Sequence, residues 1–207
     1  MRIILNNIGK KFKNEWIFRH LDFEFLFSQN CAIIGANGSG KSTLLNILSS
    51  RLTPDEGSIT YELNGQALRI EDVFQHICIC SSYIEFIEEY SLLENIRFHF
   101  SFKKPLDNFS ESDIVKIIGI KNSENKIYHD FSSGMKQRVK LALAILSDVS
   151  FVLLDEPCTN LDAEGILWYQ QMIEKYSGNK IIIVGSNEQK HEYSFCKSKL
   201  NLADYKN

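Results

Sequence analysis

Three short, unbroken apolar runs punctuate the chain: Cys31-Ala32-Ile33-Ile34, Phe151-Val152-Leu153-Leu154 and Ile181-Ile182-Ile183-Val184. Each reads as a strand, and the second is of the kind that helices cover on both faces. Helical patterns alternate with them, over residues 41–50, 134–147 and about 163–176. Within the second, 139–146 is apolar on nearly every face except Lys140, so that helix is expected to be buried. The succession of strand and helix predicts an α/β fold around a mostly parallel sheet. Residues 2–27 alternate loosely and are rich in aromatics, which predicts antiparallel strands ahead of the first run. Residues 54–57 read as a turn and 58–63 as a strand closed by Asn64-Gly65, a strong hairpin signal. Residues 76–80 form a further short, buried strand. Over about 83–130 the character changes to mixed aromatics and acids, then a helix at 91–100 and a capping box at Ser110-Glu111-Ser112-Asp113, so this section is expected to be a helical insert. Residues 201–207 read as a strand or a frayed tail, and the whole of 1–207 as one domain.

Composition narrows the picture only modestly. Of 207 residues, 44% are hydrophobic and 24% charged, the balance of an ordinary globular chain, and the net charge of -3 gives no basic footprint, so no nucleic-acid partner is expected. No apolar run approaches the eighteen or so residues of a membrane span, and the N-terminal apolar stretch is far too short for a secretory signal. The five cysteines include no C-x-x-C pair; they read as small buried hydrophobes of a reduced, cytoplasmic protein, with no zinc site.

The chemistry sits at the first apolar run. Gly35, Gly40, Lys41 and Ser42 fit G-x-x-x-x-G-K-[ST] between a predicted strand and a predicted helix. In that pattern backbone N–H groups over Gly35, Ala36, Asn37, Gly38, Ser39, Gly40, Lys41, Ser42 and Thr43 cradle nucleotide phosphates. Lys41 would reach the terminal phosphates, Ser42 would sit on Mg²⁺, and the helix N-terminus adds its dipole to the same anion site. The second run ends in Asp155-Glu156, followed by Pro157: Asp155 is placed to help hold the metal and Glu156 to poise the attacking water.

Together these residues resemble the ATP-binding cassette family, the nucleotide-binding subunits of ABC transporters, over essentially the full length. The phosphate loop resembles the family's Walker A motif, 151–156 its Walker B strand with catalytic glutamate, and Asn160-Leu161-Asp162 its D-loop. Phe131-Ser132-Ser133-Gly134-Met135 lies where the family keeps its Leu-Ser-Gly-Gly-Gln signature. The resemblance implies the ABC type of phosphate-loop fold, with an antiparallel N-terminal subdomain and a small helical one. It also implies ATP and Mg²⁺ as ligands, ATP hydrolysis, and a head-to-tail dimer, with an identical chain or a paralogue, in which Ser132, Ser133 and Gly134 close over the partner's ATP. It implies as well a separate transmembrane permease that would hold the chain on the cytoplasmic face of the membrane. Phe12 stands where the family stacks an aromatic ring on adenine; a core phenylalanine is the competing reading.

Three positions depart from the pattern. Ser133 replaces a glycine where backbone approaches phosphate. Ser82, or by one residue Ser81, replaces the Q-loop glutamine that reaches the metal, leaving room for a bridging water. Asn187 replaces the switch histidine; asparagine donates a hydrogen bond to phosphate but takes up no proton near neutral pH. Two other functions stay open at this point: a soluble ABC ATPase unconnected with transport, and a nucleotide-binding regulatory module that hydrolyses poorly.

Overall fold

The computed structural model describes residues 1–27 and 29–206. Two sheets organise the chain. The first pairs β1 (Arg2–Phe12) with β2 (Glu15–Leu26) and then, through strand β3 (Cys31–Ile34), a glycine-rich loop and helix α1 (Lys41–Leu48), the chain returns as β4 (Glu56–Leu63) on the other edge of β1. The two-residue strand β5 (Gln66–Ala67) closes that antiparallel sheet, whose order is β2-β1-β4-β5. The turn into β5 is the one expected: Asn64 and Gly65 have φ of 51° and 79°, the pair of left-handed residues that a type I′ hairpin requires. The turn before β4 is shorter than expected, because Glu56 and Gly57 already belong to the strand and Glu56 pairs with Gly9.

After the single turn α2 (Val73–His76), β6 (Ile77–Cys80) starts the second sheet. The predicted insert follows as α3 (Leu92–Phe102) and α4 (Glu111–Ile118). Both begin with a capping box: Ser110 with Asp113 as the sequence suggests, and Ser91 with Glu94. Helix α5 (Ser133–Ile145) then leads into β7 (Phe151–Asp155), α6 (Ala163–Tyr176), β8 (Ile181–Ser186), the short α7 (Lys190–Tyr193) and β9 (Ser198–Asn201). The five parallel strands run in the order β6-β7-β8-β3-β9. At the end of the chain the expectation of a strand or tail over 201–207 is corrected. Asn201 closes β9 and residues 202–205 form a 3₁₀ turn, because fully buried Leu202 anchors it in the core; Asn207 lies outside the described residues.

The period of two along each parallel strand sorts the core into two layers. Phe151 and Leu153 of β7, with Ile181 and Ile183 of β8, pack with α1 and the antiparallel sheet. Val152 and Leu154, with Ile182 and Val184, pack with α5, α6 and the helices of the insert. A central sheet covered on both faces leaves its C-terminal edge, where β3, β7 and β8 end, as the place for chemistry.

Candidate nucleotide site

At that edge β3 runs into the turn before α1. Gly40 has φ 103°, and a Cβ there would run into Ile17 and Phe18 of β2, so the loop closes only because position 40 is glycine. Lys41 is 5% exposed and donates through Nζ to the carbonyls of Gly35 (2.9 Å) and Ala36 (3.1 Å), folding the loop over its own lysine. Its Nζ is also 4.0 Å from Glu156 Oε1. Ser39 is buried and its hydroxyl has no hydrogen-bond partner.

Asp155 ends β7 and is 7% exposed, with Oδ1 unpartnered. Burial pushes its carboxyl above the usual carboxylate range and the charge of Glu156 adds to this, while the Ser42 hydroxyl and Lys41 oppose it. A buried, unpaired carboxylate oxygen beside a serine hydroxyl is a donor set of hard oxygens and suits Mg²⁺. Glu156 has φ 47°, a left-handed conformation that costs a side-chain-bearing residue free energy. Its N–H donates to the Gly185 carbonyl at 2.8 Å and its own carbonyl accepts from Thr159 at 3.1 Å, so both sides of the strained residue are tied down.

These groups line a cavity of about 610 Å³. Of the residues singled out in the sequence, Asn37, Gly38, Gly40, Lys41, Ser42, Thr43, Ser82, Ser133, Asp155 and Glu156 are in its wall. Gly35, Ala36 and Ser39 lie behind it in the loop. Phe12, at the end of β1, is 51% exposed and outside the wall, and Ile17 lines the cavity instead. The reading of Phe12 as a core residue is thereby corrected: its ring sits in solvent near Lys10. Ser132 accepts from Met135 N–H (3.3 Å) as the N-cap of α5, and Gly134 packs against the loop that follows β7, where a Cβ would come within 2.8 Å of the Asn160 carbonyl. Asn187 follows β8, half-buried, outside the wall.

The sequence reading missed part of the wall. Ser133, Lys136, Gln137 and Lys140 all face the cavity, three or four residues apart and therefore on one side of α5. Lys140 is buried and pairs with Glu85 at 2.6 Å, while Lys136 pairs with Glu88 at 2.8 Å. The lone lysine in an otherwise apolar helical run was the available signal. Glu85 also lines a second, largely apolar groove of about 210 Å³ with Phe86, Ile87, Phe98, His99 and Phe102. Cys158, His191 and Glu192, which nothing in the sequence linked, come together behind the loop after β7, with donor atoms within 4.8 Å of one another. Among the described residues the cysteines are free thiols, all but Cys196 buried.

A phosphate loop on β3, an acid pair closing the neighbouring strand but one, and a helix N-terminus across the cavity define a phosphate-loop nucleotide enzyme. The family description "ABC transporter" matches residues 18–159, well over half of the chain, and the protein belongs to that family, as an ATP-binding subunit and an ATPase. An uncharacterised ABC transporter ATP-binding protein of Bacillus subtilis, YybJ, is 29% identical over 186 residues, covering 88% of this chain and 84% of that protein. Among solved structures, a putative ABC transporter ATP-binding protein from Pyrococcus furiosus superimposes with a TM-score of 0.83 at 22% identity, covering 100% of both chains. The dimeric structure of the bacterial cassette MJ0796 superimposes with a TM-score of 0.80 at 19% identity, covering 97% of this chain and 94% of that one. At these identities the structural likeness speaks for the fold.

Proposed function

We propose that the chain binds Mg·ATP in the 610 Å³ cavity and hydrolyses it as one of a pair of cassettes whose closure drives a separate transmembrane permease. The observation that carries this reading is Asp155 Oδ1, buried and unpartnered beside Ser42 and Lys41, because such an oxygen is costly to keep unless a cation completes it. In this reading the loop amides of 35–43 and Lys41 hold the phosphates, and Ser42 and Asp155 would hold Mg²⁺, with Ser82 contributing from the same wall. The metal would supply charge neutralisation at the phosphates. Glu156, aimed into the cavity by its strained backbone, orients the attacking water and accepts its proton. Asn187 donates to the γ-phosphate without exchanging a proton. Phe12, with its ring free in solvent, is available to stack on adenine.

Ser133 lines the cavity wall at the start of α5, and Ser132, Ser133 and Gly134 would close over ATP held by a second cassette; the dimeric cassette among the structural neighbours supports a paired arrangement. No helix among the described residues is long and apolar enough to cross a membrane; in this reading a membrane subunit supplies the path. The apolar groove bordered by Phe98 and Phe102, with Phe102 70% exposed at its wall, is a fitting seat for a permease segment. That partner would hold the chain on the inner face of the membrane.

Glu156→Gln tests the hydrolysis reading. The variant is expected to bind ATP normally, to lose turnover by about 10²–10⁴-fold, and to accumulate an ATP-bound dimer in size-exclusion chromatography. Wild-type turnover in that variant would remove Glu156 from the role.

A further inference from the structure

Glu192 is 3% exposed, and its two carboxylate oxygens serve two different segments. Oε1 accepts the Cys158 backbone N–H at 3.1 Å, and Oε2 accepts the Ser186 hydroxyl. Cys158 is two residues beyond Glu156; Ser186 is the residue before Asn187. Ser186 Oγ accepts in turn from Gln189 N–H at 3.2 Å, closing the turn that carries Asn187. Glu192 itself is fixed to α6, because its backbone carbonyl accepts the Tyr169 hydroxyl at 2.8 Å. Among the described residues no lysine or arginine makes an ion pair with it; the charged and titratable groups around it are His191, Glu156, Cys158 and Tyr169. A carboxylate buried without a counter-charge is costly, and two donated hydrogen bonds are what it gains in return.

We propose that Glu192 is a positioning residue for ATP hydrolysis: by bridging Cys158 N–H and the Ser186 hydroxyl it sets the placement of Glu156 relative to Asn187. This rests on the reading that those two residues act at the γ-phosphate. The arrangement accounts for how Glu156 is held at φ 47°. Its own N–H is tied to Gly185 of β8, and two residues on the chain is tied to β8 again, this time through Glu192. Two ties, one on each side of Pro157, leave the strained residue little room to relax. Because the two segments come from neighbouring strands, loss of the bridge frees each to move without unfolding either.

The test uses the full chain with Glu192→Gln, Ser186→Ala and the double variant. Glutamine keeps the length and the acceptor for Cys158 N–H, but its NH2 group can only donate to Ser186 Oγ, so the hydrogen bond from the Ser186 hydroxyl to a carboxylate is lost. Each single variant is expected to lower kcat by about 10- to 100-fold with KM for ATP within about twofold of wild type. The double variant is expected to fall no further than the worse single one, since both cut the same bridge. Amide hydrogen exchange in 156–160 and 186–189 is expected to quicken together in both variants, a readout that does not depend on turnover. Unchanged kcat in Glu192→Gln while Glu156→Gln is inactive overturns this proposal alone; an active Glu156→Gln removes the hydrolysis reading beneath it. Equal losses of kcat, ATP binding and melting temperature, or unchanged exchange in both segments, overturn it as well. So does a Co²⁺ titration giving a thiolate charge-transfer band that vanishes in Cys158→Ser, because the carboxylate would then be a metal ligand.

Discussion

Asp155 holds a charge that the apo protein does not use. Burial raises its carboxyl above the usual range, with the Ser42 hydroxyl pulling the other way. The folded chain therefore binds this proton more tightly than the unfolded chain does. The group lowers stability at neutral pH, and that loss is relieved as the pH falls through the raised value. Asp155→Asn is expected to raise the melting temperature of the apo protein by a few degrees, about 1 kcal/mol. The same variant is expected to lose the additional thermal shift that Mg·ATP gives. A thermal-shift assay with and without Mg·ATP reads both quantities, and an apo variant no more stable than wild type contradicts the first. Residues of this kind were legible in the sequence because phosphate loops and strand-end acids are short, contiguous patterns. Glu192 was not, because its partners are 34 and 6 positions away and become one site only when β7 and β8 pair. Phe12 was half-legible: the resemblance offered it as an aromatic over adenine against a core phenylalanine, and only its place at the end of β1, 51% exposed, rules out the core.

At the scale of elements, α3 is fastened to the end of α5 through His99. Its Nε2 lies 2.8 Å from Ser147 Oγ, and that hydroxyl donates to the Leu143 carbonyl at 2.7 Å, so the imidazole is the donor. Burial, with Lys103 nearby, pushes His99 down to about 4. The unfolded chain titrates near 6.5. Below that value the unfolded state takes up the proton first, so stability contributed here is present above about pH 6.5 and is lost as the pH falls towards 4. Thermal melts at pH 7 and pH 5 are expected to show a larger drop for wild type than for His99→Gln, which keeps an N–H donor without the titration. Equal drops would contradict the assignment. Elements were the most readable level of this sequence where their signals are local. Ser110 capped its helix, Asn64-Gly65 made its hairpin, and the apolar runs became the parallel strands. Boundaries drifted where tertiary contacts override local signals: β4 starts at Glu56 because Arg19 of β2 pairs with that side chain at 2.7 Å, and α1 stops at Leu48, two residues short of the expected end.

For the whole molecule, the sidedness of the central sheet puts the antiparallel strands on one face and the insert on the other, so the groove of Phe98 and Phe102 belongs to the helical layer. If a permease segment seats there, Phe102→Asp is expected to weaken co-purification with a membrane subunit at least about tenfold while leaving ATP affinity of the isolated chain unchanged. Retained co-purification would move the docking surface elsewhere. Tyr83 was recoverable from the sequence as part of an aromatic and acidic stretch; Phe102 lies beyond the helix expected to end at 100 and was not. The groove itself was not, because Phe86 turns inward against the core and Glu88 is already occupied by Lys136 and His129.

Glu85 belongs to the walls of both openings, and buried Lys140 holds it in place. The nucleotide cavity and the groove thus share one side chain, held by that ion pair. Any occupant of the groove that moves Glu85 changes the free energy of binding nucleotide, and thermodynamic linkage makes the debt symmetrical: nucleotide changes the affinity of the groove for its occupant by the same factor.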